Sequence, residues 1–372
     1  MISFPHQLLH ALCALQHDRE ARGIAHHSKA LLIVWSYQAS DHEPNSKARE
    51  FFESTLRDYP YIECIFLSLN ERRIALSPYR KLTPRINWIR RHLGIHGGEQ
   101  LSFYYAHDAS ADHTAQAFMQ ALQAEKIICY GDAPGFLYPS KKPSRAPVQP
   151  SLRWLKNLYW FSRINRITPW LGADSAMIVV DFGEWEERCD FPRPTVIPSI
   201  IFSRTLNSLK SAIPQIATFE QFLIKQPEDT SQAVLILSNF TNSKLTTQTN
   251  ELALYQSICK AHLKSGDRLY IKKHAGTSHI FLKKLLTTLD DYRAEPFPSE
   301  LEHIPIELFT KLHDSCKVLS VSSASALLSL IPGAHTIHAL TQEHINLYFN
   351  PAYRSYMTAA NNRILKKTHN PG

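Results

Sequence analysis

The alternation of apolar and polar positions divides the chain into short apolar runs separated by helical patterns. Leu31-Leu32-Ile33-Val34-Trp35 is the first run rich in strand formers, and Ile62 to Leu69 is the second. Lys126-Ile127-Ile128-Cys129-Tyr130 and Ala176-Met177-Ile178-Val179-Val180 follow. A 3.6-residue period predicts a helix over Gln7 to Gln16, with Leu8, Leu9, Leu12 and Leu15 on one face. A second helix is predicted over Thr114 to Glu125, with Ala117, Phe118, Ala121 and Leu122 on one face. Strands that alternate with helices predict a parallel sheet of the α/β kind.

Residues 182–230 break the rhythm. They hold Pro192, Pro194, Pro198, Pro214 and Pro227, which predicts a linker with one or two helices. The rhythm restarts at Ala233-Val234-Leu235-Ile236-Leu237, followed by a polar loop from Asn239 to Asn250 and a helix from Glu251 to Leu263. Arg268 to Lys272 and Lys317 to Val321 read as further strands, the latter running into Ser322-Ser323-Ala324-Ser325-Ala326 and a helix. His335 to Ala339 reads as a last short strand. The expected organisation is an N-terminal α/β domain over 1–190, a linker over 191–230, a second α/β domain over 231–350, and a tail or helix over 351–372. Two doubly wound, Rossmann-like domains facing a cleft would place ligands at the carboxyl ends of strands.

Composition narrows the chemistry. Of 372 residues, 44% are hydrophobic and 20% charged, which excludes global disorder. The 12 glycines are about half the usual ~7% share, and neither GxGxxG nor GxxxxGK[ST] occurs. Both facts argue against a glycine-rich phosphate cradle. No apolar run approaches the ~18 residues of a membrane span, and Met1 to Glu20 lacks the basic segment of a signal peptide. Cys13, Cys64, Cys129, Cys189, Cys259 and Cys316 are scattered without a CxxC, and Cys129 and Cys316 sit in or beside apolar strand-like runs, as suits reduced core thiols in a cytosolic protein.

The net charge of +8 is unevenly spread. Residues 72–98 and 136–173 carry seven basic residues each and no acid, so the remainder is net acidic. The second stretch is read as a basic insertion in the N-terminal domain. It includes Arg153, Lys156, Arg163 and Arg166 interleaved with Trp154, Tyr159, Trp160, Phe161 and Trp170. Aromatic anchors among cations suit an anionic lipid surface or an anionic glycan; a plain solvated basic face accounts for them as well. Nucleic acid is not the expected partner, because no RNP, helix-turn-helix or zinc pattern is present.

Four polar groups follow predicted strands or turns. Asp132 stands in Tyr130-Gly131-Asp132-Ala133-Pro134-Gly135, where a carboxylate can act as general base or simply cap a turn. Lys272-Lys273-His274 ends another strand, where a His can meet a phosphate oxygen or be an ordinary surface His. Ser322 and Ser323 lie between strand and helix, where hydroxyls and N–H groups make an anion site or a plain N-cap. Glu307, in Ile304-Pro305-Ile306-Glu307-Leu308, can accept ribose hydroxyls or occupy an ordinary first helical turn.

Taken in order, these elements resemble the bacterial sialyltransferases of the two-domain GT-B type, closest to their polysialyltransferase-like branch. The Gly131-Asp132 segment resembles that family's acidic motif, Lys272-Lys273-His274 its HP motif, and Ser322-Ser323 its double-serine motif. Pro305-Ile306-Glu307 stands where a P-x-E element stands in the family, and Phe4-Pro5-His6-Gln7-Leu8-Leu9 resembles its first loop and helix. Ala275 replaces the expected Pro, Gly131 stands where a second acid is often found, and Ala133-Pro134 precede Gly135. The resemblance implies inverting transfer of sialic acid from a CMP-sugar to a glycan acceptor, with no metal and no other cofactor, in bacterial surface polysaccharide biosynthesis. It implies Asp132 as general base and His274 as phosphate stabiliser or general acid. Lys272, Lys273, Glu307, Ser322 and Ser323 are then nucleotide-binding residues. Arg153, Lys156, Arg163 and Arg166 are expected on the side of the acceptor, read as anionic, or of peripheral contact with the inner face of the cytoplasmic membrane. Another CMP-sugar such as CMP-Kdo, or a catalytically degenerate scaffold that binds anionic polymer or membrane, remains open at this point.

Overall fold

A computed structural model describes residues 2, 5–25, 28–35, 46–67, 87–91, 93, 101–106, 124–131, 173–181, 192–224, 231–274 and 276–369. The chain forms two compact units, Met1–Thr205 and Leu206–Gly372. Both are α/β with parallel sheets.

The first unit opens with α1 (His6–Arg22), longer than the predicted helix, which ends on Gly23 in the left-handed region at φ +63°. That glycine closes the helix without the steric penalty a Cβ brings there. β1 (Ala30–Trp35) pairs in parallel with β2 (Ile62–Leu67), with α2 (Ser46–Thr55) between them. A separate parallel sheet has the order β3 (Ser102–Ala106), β4 (Lys126–Gly131), β5 (Ser175–Ile178), β6 (Thr195–Val196). Helix α1 packs on β3, β4 and β5. Its Asp18 side chain, 2% exposed, pairs with Lys126 Nζ at 3.0 Å, and also with Arg22 and the Tyr104 hydroxyl. These partners hold its carboxyl below the usual range against the opposing pull of burial. The segment expected as a linker carries structure of its own. β6 extends the sheet, and α3 (Ser199–Ser211) and α4 (Pro214–Ile224) follow it. Of the predicted helix over Thr114 to Glu125, residues 114–123 lie outside the described residues.

The second unit contains β7 (Gln232–Ile236), α5 (Gln248–His262), β8 (Arg268–Lys272), α6 (His279–Thr288), β9 (Arg293–Pro296), β10 (Lys317–Ser320), α7 (Ala324–Leu328), β11 (Thr336–His338), α8 (Gln342–Tyr348) and α9 (Arg354–His369). Its sheet is parallel throughout, in the order β9-β8-β7-β10-β11. Counted in chain order this is 3-2-1-4-5, the order of doubly wound nucleotide-binding sheets. All five residues of β7 are buried, as a strand covered on both faces requires. On one face Ala233, Leu235, Leu269, Ile271 and Leu319 join Leu254, Tyr255 and Ile258 of α5 and Phe281 and Leu285 of α6 in one core. On the other, Tyr270 meets Phe219 edge-on, and Phe219 meets Phe297 and Phe309. The segment read as a tail or helix is α9, which packs on α7, α8 and β11.

Cys13, Cys64, Cys129, Cys259 and Cys316 are free thiols. Burial pushes Cys13, Cys64, Cys259 and Cys316 up to about 12, which leaves them poor nucleophiles at neutral pH. Among the described residues no helix is long and apolar enough to cross a membrane.

Candidate nucleotide site

The last paired residues of the C-terminal sheet form one row: Lys272 opposite Ile236, Ile236 opposite Ser320, and Ser320 opposite His338. Just beyond this row lie Lys273 and His274 after β8, Ser238 and Asn239 after β7, and Ser322 and Ser323 after β10. The order of strands reverses between β7 and β10, and sheets of this kind bind ligands outside the carboxyl ends at that reversal. His274 and Ser322 each stand two residues past the row and two strands apart, roughly 10 Å by ordinary strand spacing.

The loop after β7 is tied down from within. Glu251 on α5, 2% exposed, accepts the Thr241 N–H at 2.8 Å and the Phe240 N–H at 3.4 Å, along with the Thr241 hydroxyl. Tyr255 accepts the Ser238 N–H at 2.8 Å and donates to Glu251 at 3.3 Å. In many doubly wound sheets the N–H groups of this first loop hold a phosphate. Here an internal carboxylate occupies those of Phe240 and Thr241, in keeping with the scarcity of glycine.

The turn after β8 lies directly on that loop. Asn242 Nδ2 donates to the Gly276 carbonyl at 2.7 Å, and a Cβ on Gly276 would stand 2.6 Å from Asn239 Nδ2. His274 is half-buried, and its Nδ1 accepts the Gly276 N–H at 3.0 Å. In the neutral ring the proton therefore sits on Nε2, which is then the donor. Burial lowers the pKa of His274 and favours that neutral form.

Lys272, expected at the nucleotide, has a side chain only 5% exposed that turns inward. Its Nζ donates to the Leu301 carbonyl at 2.9 Å and to the Glu302 carbonyl, and lies 4.9 Å from the Phe297 ring centroid. Burial takes its pKa down to about 7, against the opposing pull of Glu302 and Glu307. Lys273, just past the strand, is half-buried, and its Nζ pairs with Glu302 Oε1 at 3.0 Å.

Glu307 is buried in the turn Ile306–Leu308 behind Pro305, and that turn packs on α7. The structure thus sets the Glu307 turn against the helix that follows Ser323. Ser322 Oγ accepts the Ala324 N–H at 3.4 Å, and the Ser322 N–H donates to Ser320 Oγ at 3.3 Å. Ser323 precedes α7 without a side-chain capping bond. Among the described residues no three His, Cys, Asp or Glu side chains are grouped to hold a metal ion.

Gly131 is the buried last residue of β4, and Asp132, directly after it, lies outside the described residues. So do Arg153, Lys156, Arg163 and Arg166. Sequence reasoning missed Asn239, Glu251 and Gly276. The polar loop after β7 was visible, but not that an acid one helical turn further on would fill it.

No protein-family model and no curated protein matches the chain. Among solved structures, Phytolacca americana UGT2 complexed with UDP-2-fluoro-glucose and pterostilbene aligns at 11% identity and TM-score 0.37, over 92% of this chain and 94% of that one. E. coli heptosyltransferase WaaC with ADP-2-deoxy-2-fluoro heptose aligns at 14% identity and TM-score 0.21, over 62% of this chain and 86% of that one. A structure described as trehalose-6-phosphate from E. coli bound with UDP-2-fluoro glucose aligns at 11% identity and TM-score 0.35, over 91% of each chain. Overlaps this loose carry no argument about what the chain does.

Proposed function

We propose that the chain is an inverting glycosyltransferase of GT-B type that moves sialic acid, or a related nonulosonate, from a CMP-sugar to a glycan acceptor. The supporting observation is the row Lys272–Ile236–Ser320–His338, with His274 and Ser322–Ser323 just past it at the reversal of a 3-2-1-4-5 sheet. Because Glu251 fills the first loop, a nucleotide phosphate finds its donors at the ends of β8 and β10 instead.

In this reading His274 donates from Nε2 to a phosphate oxygen of the departing CMP. The phosphate's charge raises the ring's proton affinity, so the same group stabilises the leaving group and can protonate it. Ser322 and Ser323 hold that phosphate or the sugar carboxylate, and Glu307 accepts the ribose hydroxyls. Asp132 takes the proton of the acceptor hydroxyl as that oxygen attacks the anomeric carbon. The bond from that carbon to the phosphate oxygen breaks through an oxocarbenium-like state, which asks little nucleophilic work of the protein. The basic, aromatic segment at 136–173 serves the acceptor or an anionic lipid surface.

The test is CMP binding by calorimetry together with CMP release from CMP-sialic acid in the presence of glycan acceptors. Asp132→Asn is expected to abolish transfer while CMP binding survives. His274→Ala is expected to slow transfer by about 10²–10⁴, the usual worth of a positioned acid. Full activity in both variants refutes the assignment, and release from CMP-Kdo alone moves the donor to that sugar.

A further inference from the structure

Behind the serine turn, three side chains from distant parts of the sequence meet. Ser325 Oγ lies 2.7 Å from the Ser322 carbonyl oxygen and 2.8 Å from His338 Nδ1, and His338 Nε2 lies 2.6 Å from Asn361 Oδ1. A hydroxyl has a single proton to give. If Ser325 gives it to the Ser322 carbonyl, His338 must donate from Nδ1. A neutral ring then accepts at Nε2, and Asn361 must offer an N–H there. A half-turn of the Asn361 amide, whose oxygen and nitrogen are assigned from their hydrogen bonds, supplies it. The same half-turn removes another difficulty. As placed, Asn361 Nδ2 is a buried donor with no partner among the described residues; afterwards a carbonyl oxygen takes its place, the more tolerable group to leave unpaired. All three bonds then run one way, from Asn361 to His338, to Ser325, to the Ser322 carbonyl.

A Ser, a His and an Asn in series suggest a nucleophile, but Ser325 is 0% exposed and Asn361 2%, so no substrate reaches them. Their effect falls on the turn. Ser320, beside His338 in the terminal row, accepts the Ser322 N–H, while Ser325 holds the Ser322 carbonyl. Both ends of the Ser322 backbone are therefore fastened by side chains that belong to this relay or stand next to it.

We propose that His338 is a positioning residue which, through Ser325, sets the orientation in which Ser322 and Ser323 meet an anionic ligand. This inference rests on the reading of that turn as part of the CMP site. The test uses the full chain as His338→Ala, Ser325→Ala, the double variant, and His338→Asn, whose amide nitrogen can replace the Nδ1 donor. CMP affinity is expected to fall about tenfold in either alanine variant, no further in the double, and to stay within about threefold in His338→Asn, as for loss and retention of one buried hydrogen bond. Without nucleotide, amide hydrogen exchange at 321–326 is expected to speed up in the alanine variants while β7 stays protected. Losses that add in the double variant, or unchanged exchange in the turn, overturn the proposal. If the native chain binds no CMP, the functional reading falls, and the exchange measurement alone decides the role of His338. If His338→Ala fails to fold, Ser325→Ala carries the same comparison with the loss of a single oxygen.

Discussion

Lys272→Met isolates the energetics of the amine buried beneath the 301–308 segment. Burial draws its pKa in the folded chain down to about 7, whereas in the unfolded chain it titrates near the ordinary ~10.4. Between these values the folded state holds a neutral amine while the unfolded state remains protonated. The unfolded state binds more protons, so stability rises with pH across that window. The steepest rise is about 1.4 kcal/mol per pH unit, and from pH 7 to pH 9 the gain from this group is about 2 kcal/mol. Methionine has a similar length and no such term. At any single pH the variant mixes relief from desolvation with loss of the bonds to the Leu301 and Glu302 carbonyls. The change of the difference with pH separates the two. Urea unfolding at pH 7, 8 and 9, read for the second unit as protection of β7 and β8 amides, should show the native chain gaining about 2 kcal/mol over the variant. Parallel pH profiles would mean that Nζ is hydrated and titrates as an ordinary lysine, and the inward placement would be refuted.

Gly276→Ala should displace the Asn239 amide, because its new Cβ would meet Asn239 Nδ2 at 2.6 Å; the contact is with the end of a side chain that can turn away, so the loss should stay within about 1.5 kcal/mol, and Asn239→Ala in the same chain should remove it in thermal melts. Glu251→Gln should destabilise the loop after β7 by about 1–3 kcal/mol, since an amide nitrogen then faces backbone donors; faster amide exchange at Phe240 and Thr241 reports it. Burial lowers the pKa of His262, His274, His313 and His344. Their neutral forms are favoured by folding, so stability is complete above the unfolded value near ~6.5 and declines as pH falls below it. Calorimetric melts from pH 7.5 to 5 should show that decline, and a flat profile would argue that these rings are solvated.

Much of the second unit was legible because its central strands are short, continuous apolar runs: β7, β8 and β10 stand within a residue of where the pattern puts them. β9, Arg293–Pro296, carries an Arg, a Glu and a Pro and sits at the sheet's edge, so no apolar run marked it. In the first unit β3, Ser102–Ala106, is aromatic rather than aliphatic, and β6 is two residues among prolines. At the site, the placement of His274 and the serines past strand ends followed from the pattern. The division of labour between Lys272 and Lys273 did not, because adjacent cations look alike until the end of the strand is placed between them. The Ser325–His338–Asn361 relay joins three elements whose meeting depends on strand order, which local periodicity does not encode.

The terminal row also sets an order of events during synthesis. Ile236 and Ser320 are neighbours in the sheet but far apart along the chain, and the last link of the relay comes from Asn361, on the final helix. β7 and β8 can pair early, whereas β10 must close a long loop before it docks beside β7, a slow step for a parallel sheet. Until it does, the β7 edge that β10 will cover stays open to mispairing. The relay behind the serine turn is thus complete only once residue 361 has been made, so a chain cut short before Asn361 would keep β7 to β11 and still lack that support.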